Sequence, residues 1–140
     1  MAAFNKFNSF VEALAEKVHN LGSDTLKVML TNTAPVAANS VKADITEISA
    51  GNGYTAGGNT ASVTSSAQTS GTYKLVLGDP ATWTASGGSI GPFRYAVLYN
   101  DTATNKELIG WWDYGSALTL AAGESFTVDF DPTTGVLTLA

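Results

Sequence analysis

After Gly22 the hydrophobic period of this chain changes to two. In "TLKVMLT" (25–31), Leu26, Val28 and Leu30 alternate with Lys27 and Met29. Such alternation places successive side chains on opposite faces of an extended strand. Similar short runs recur to the end. "TASVTSSA" (60–67) and "TYKLVLG" (72–78) flank a Ser-Gly turn and read as a hairpin. "ATWTA" (81–85), "PFRYAVLYN" (92–100), "KELIGWWDYG" (106–115), 117–120, 124–130 and 135–139 follow. The stretch "VKADITEIS" (41–49) is mixed and reads as a strand entering a bend or a short helical turn. "DPTTG" (131–135) suits a type I turn ending in a left-handed glycine, which predicts a hairpin of the last two strands. Many short strands at regular spacing, with no strand–helix–strand alternation, predict an antiparallel β-sandwich, jelly-roll-like, as a single domain over residues 23–140.

Residues 1–22 read differently. Phe7, Phe10, Val11, Leu14, Val18 and Leu21 follow the three-and-four spacing of one helix face. Ser9 and Glu12 have capping-box spacing, so the helix is expected over 10–20, with Gly22 in the left-handed position that ends it. Its apolar face, including Phe7, Phe10 and Leu14, packs either over one end of the sandwich or on a neighbouring subunit.

The 140 residues include no cysteine, which removes disulfides and thiolate sites. Charged residues make up only 14%, and the net charge is −5. Residues 96–140 carry that excess: Asp101, Glu107, Asp113, Glu124, Asp129 and Asp131 stand against Lys106 alone. Without clustered Lys or Arg, neither nucleic acid nor an anionic membrane is an expected partner. No apolar run nears the length of a membrane span. The first ten residues lack the pattern of a signal peptide, so Sec-type export is not expected.

Candidate sites are few. "GNGYTAGGNT" (51–60) has the glycine content of a phosphate-binding loop, but no helix pattern follows it. It reads as a pliable connection whose glycines supply positive φ, with Tyr54 free to anchor on a protein neighbour. "IGWWDYG" (109–115) could offer rings and a carboxylate to a sugar; in a strand, however, Trp111 and Asp113 face one side while Trp112 and Tyr114 face the other. One Trp in the core and one ring at an interface is the simpler expectation. Asp129 and Asp131 fall short of the six to eight oxygens that calcium takes. His19, the one histidine, has no nucleophile motif to serve. No enzyme activity and no cofactor are expected.

The runs "SDTLKVMLTNTAPVAANSVKADITEISAGNGYTAGGNT", "SGGSIGPFRYAVLYND" and "LIGWWDYGSALTLAAGESFTVDF" resemble a family of small virion structural proteins of tailed bacteriophages and prophages. The chain is also similar in size and style to capsid decoration, or cement, proteins, which sit outside the shell and clamp neighbouring subunits. The resemblance implies a protein made in the host cytoplasm that ends on the capsid exterior. Its implied partners are the major capsid protein and further copies of itself, with Phe7, Phe10, Leu14, Tyr54, Trp111 and Trp112 as expected contact residues. The alternatives are a tail or head–tail connector protein and a carbohydrate-binding attachment module.

Overall fold

A computed structural model describes residues 2–140. The protein is mainly β, built from antiparallel sheets and one short helix. The strands are β1 (Asn5–Lys6), β2 (Leu26–Thr31), β3 (Asn59–Ala61), β4 (Val63–Thr69), β5 (Thr72–Leu77), β6 (Trp83–Thr84), β7 (Ile90–Asn100), β8 (Leu108–Leu120), β9 (Ser125–Phe126) and β10 (Leu137–Leu139). The helix α1 spans Ser9–Ala15, and a 3-10 turn spans Lys42–Asp44. A five-stranded sheet in the order β1-β8-β7-β2-β3 faces two smaller sheets, β10-β5-β4 and β6-β9.

Alternation sets both faces of the large sheet. Leu26, Val28, Leu30, Ala96, Leu98, Ile109 and Trp112 enter the main core with Leu75, Leu77, Trp83 and Phe130 from the opposite layer. Met29, Val97, Tyr99 and Leu108 point the other way, where Phe7 joins them and Ile45 and Trp111 pack on top. Both faces of the central strands are therefore dry. That explains why β2 and β7 bury residues of both parities, with Met29 and Val97 fully inaccessible.

The long connection after β2 covers the second face and closes an edge. β3 pairs β2 only from Leu26 to Val28. Beyond it, the Leu30 N–H donates to the Tyr54 hydroxyl (3.0 Å), and the Leu30 carbonyl accepts from the Ile48 N–H (3.1 Å). The exposed edge of a sheet is thus satisfied by a side chain and a loop amide. The glycine-rich stretch is a fixed element, not a pliable one. Asn52 and Gly53 take positive φ (57° and 105°) in a two-residue turn closed by paired Gly51–Tyr54 bonds.

Four further expectations are corrected. First, α1 ends at Ala15, well before Gly22, which is not left-handed. Lys17 takes that role at φ 69°, with Lys17 N–H donating to Leu14 O and Val18 N–H to Ala13 O. This is a Schellman closure with a lysine where glycine is usual. The early stop lets His19 and Leu21 turn into the interior, both 5% exposed. Replacing Lys17 with glycine removes the left-handed strain, so Lys17→Gly is expected to stabilise the fold by about 0.5–1 kcal/mol in a denaturant titration. Second, the helix starts from Asn8 without a side-chain cap, so the Ser9–Glu12 box does not form. Third, the last two strands do not pair. β9 pairs β6 and β10 pairs β5. Between them Phe130 enters the core, its N–H bonded to the Asp79 carboxylate (2.7 Å), so the chain crosses from one small sheet to the other. The Asp131–Gly135 turn is present, with Gly135 at φ 75°, but it redirects the chain rather than closing a hairpin. Fourth, the expected strands 106–115 and 117–120 are one strand, β8, bent by an irregularity at 114–117.

Candidate functional site: an aromatic cleft beside the edge of β8

Leu30, Ala96 and Trp112 lie in register across β2, β7 and β8. Ala96 is the small member of that row, and the space over its methyl is not filled by its neighbours. The opposite layer roofs it: Phe130 packs on Trp112 (ring centroids 5.2 Å), and Phe126 meets Phe93 edge-on (5.0 Å). What remains is a cleft of about 160 Å³ with an apolar floor. Ala2, Tyr114, Thr127 and Asp129 form its mouth, all exposed. Tyr114 keeps 57% of its surface in solvent while its ring meets Phe126 edge-on at 5.7 Å.

The polar rim is self-neutralised on one side. Arg94 donates two bonds to Asp113, Nε to Oδ1 at 2.8 Å and Nη2 to Oδ2 at 3.0 Å, and stacks over Tyr95 at 5.4 Å. The guanidinium first, and the Gly115 N–H second, hold the Asp113 carboxyl below its usual range. Asp129 also lines the cleft. Chemically, the cleft can accept one bulky apolar group, and its aromatic walls suit dispersion contact.

The residues singled out in the sequence separate. Trp112 and Tyr114 share the cleft face, as alternation predicts, whereas Trp111 lies on the other face against Phe7 (4.6 Å). The three rings and Asp113 therefore form no common sugar platform. Phe7 and Phe10 are 0% and 2% exposed, so they pack within their own chain and cannot meet a neighbour without opening the core. Leu14 is partly buried against the same core. Tyr54, 2% exposed, is likewise an internal anchor, corrected from the expected neighbour contact. Its hydroxyl donates to Glu47 Oε1 (2.7 Å), which also accepts from Gly57 N–H, while Lys42 Nζ reaches Glu47 Oε2 at 3.0 Å. Burial pushes the Tyr54 phenol far above its ordinary range and keeps it a donor. Asp131 accepts from the Thr133 and Thr134 amides within its own turn, apart from Asp129 on the cleft rim.

Glu47 and Asn100 carry structural roles that the sequence reading above did not assign. Asn100, fully buried, ends β7 and ties three segments together. Its Oδ1 accepts from Thr102 and Ala103 N–H, and its Nδ2 donates to Asp24 Oδ2 (2.7 Å) and His19 Nδ1 (3.0 Å). With Nδ1 accepting, His19 is neutral and carries its proton on Nε2. Burial lowers its pKa, against the opposing pull of Glu107 and Asp24. The folded pKa is below the unfolded value of about 6.5, so the unfolded chain takes up the proton first. Stability therefore falls as pH drops below about 6.5 and stops falling on this account once the lowered folded pKa is passed. Denaturant midpoints between pH 7 and pH 5 should decline for the parent protein, and the slope should flatten in His19→Gln. The carboxylates held low by partners (Asp44, Asp101, Asp113 and Asp131) contribute below that window, as pH falls through the ordinary carboxylate range.

Comparison of the chain with protein-family models, with curated proteins and with solved structures returned no match.

Proposed function

We propose that the chain is a structural protein of a tailed-bacteriophage virion, acting as a capsid decoration protein that binds the outside of the shell and bridges major capsid subunits. The observation that carries this reading is how the chain disposes of its charge. Four of its seven basic side chains, Lys27, Lys42, Arg94 and Lys106, are engaged with Asp101, Glu47, Asp113 and Asp101 respectively. Lys6, Lys17 and Lys74 are the remaining basic groups, against nine carboxylates outside these ion pairs. Such a surface is repelled by packaged DNA, which asks for free cations. The resemblance to small virion proteins supports the same reading.

The parts of the N-terminal segment free to meet a subunit are Val11 and Val18, not Phe7 and Phe10. Asn8 N–H donates to the Ala37 carbonyl (2.9 Å), tying the helix start to the loop before the 3-10 turn. Near that tie Val11 and Val36 stay 53% and 55% exposed. The double variant Val11→Glu, Val36→Glu should fold normally and bind shells stripped of the protein at least about tenfold more weakly, a loss of about 1.4 kcal/mol. Parent-like binding would remove this face from the contact.

A further inference from the structure

We propose that the outer edge of β8 is a strand-addition site, which takes an extended segment of another protein and seats one bulky apolar side chain in the cleft under Trp112. β8 is thirteen residues long, but β1 pairs it only at Gly110 and Trp111. From Asp113 to Thr119 no strand among the described residues pairs with that side of β8. The Gly115 N–H is taken by Asp113 Oδ1 (2.8 Å), and the rest of such an unpaired row is a template for another chain. The other open edge of this sheet shows what management of such groups looks like, because Tyr54 and Ile48 satisfy Leu30 there.

The cleft opens beside the free edge. Ala2, which continues β1 back along β8, lies at its rim, and Trp112 and Tyr114 of β8 form one wall. Peptide recognition by strand addition combines these two features: main-chain bonds provide attachment, and a pocket for an alternate side chain provides selection. A volume of about 160 Å³ suits a leucine or phenylalanine side chain; an apolar cavity of ~150 Å³ holds benzene.

Charge selects the flanking residues of the guest. Arg94 is already neutralised by Asp113, which leaves Asp129 as the one unpaired charge lining the cleft. The favoured occupant is an extended segment with one large apolar residue flanked by lysine or arginine. This inference does not depend on the virion reading, since any partner could carry such a segment.

The test uses the full chain and blocked nine-residue threonine-rich peptides. Their central residue is leucine, phenylalanine or alanine, and their flanks are lysine or glutamate. Binding is read by backbone amide shifts and hydrogen exchange over residues 112–120. The leucine- and phenylalanine-centred lysine peptides should protect the β8 edge. The alanine-centred peptide should bind at least about tenfold more weakly, as loss of one buried apolar side chain requires. N-methylation of alternate peptide amides should abolish binding. Asp129→Lys, on the exposed rim, should reverse the lysine-over-glutamate preference without affecting the fold, and Ala96→Leu should fill the cleft and exclude the guest. The proposal is overturned if no peptide perturbs the edge at millimolar concentration, or if N-methylated peptides bind equally well. It is also overturned if edge protection appears without peptide and grows with protein concentration, which would assign the edge to a second copy. Perturbation of Trp112 and Tyr114 by saccharides alone would assign the cleft to sugar and overturn it too.

Discussion

Gly58→Ala is expected to destabilise the fold by about 4 kcal/mol or more, at the far end of what single substitutions do. Gly58 sits at φ +73°, where any L side chain is strained by roughly 1–2 kcal/mol. The larger part of the cost is contact. A Cβ there would lie 1.8 Å from the Val28 carbonyl oxygen and 2.8 Å from the Met29 Cα. Both are backbone atoms of β2, whose side chains are buried on both faces, so the strand cannot step aside. Gly71→Ala is the matched control. Gly71 has a similar φ of +83°, yet nothing lies within 4 Å of its added Cβ. Its cost should be the conformational term alone, about 1–2 kcal/mol. Chemical denaturation of the two variants reads the difference directly, and equal midpoints would refute the close packing of the 51–60 stretch on β2.

Tyr54→Ala should cost about 5 kcal/mol. Truncating a buried aromatic ring costs about 3–5 kcal/mol, and here Tyr54 stacks toward Trp83 at 6.3 Å. The lost hydroxyl also leaves the Leu30 N–H without a partner, at about 1–3 kcal/mol for a buried donor. Glu47 is less affected, because Gly57 and Lys42 still bind it. Tyr54→Phe keeps the ring and isolates the hydroxyl, with an expected loss of about 2 kcal/mol. A loss under about 1 kcal/mol for Tyr54→Ala would return this ring to the surface. A partner-binding defect in that variant reports unfolding, which makes it unsuitable as a test of a contact.

What the sequence showed and what it hid divide along physical lines. β2, β4, β5, β7 and most of β8 were legible because alternation is local and each strand's burial writes itself into its own residues. Trp112 and Tyr114 were assigned to one face by the same logic. The helix end was not legible, because Lys17 carries no sign that it will adopt a left-handed conformation and Gly22 does. β1 was missed because its two residues leave no period to read. The crossing at 127–136 reflects competition between sheets: β10 finds the free edge of β5, a distant partner that no local pattern names. Tyr54 was read outward because a lone ring among glycines looks exposed, while the two groups that hold it, Leu30 N–H and Glu47, lie 24 and 7 residues away. Asn100 did leave a signal, since it is the polar residue that closes the most apolar run, "YAVLYN". A polar group at the buried end of such a strand needs several partners, and it has them.

The measurement that bears most directly on the proposed role is the number of copies of this protein per purified virion, quantified by mass spectrometry against the major capsid protein. The decoration reading predicts a ratio near a simple fraction of one, as coverage of the whole shell requires. A handful of copies per particle would contradict it and move the chain to the tail or the connector, and absence from the particle would remove the virion role altogether.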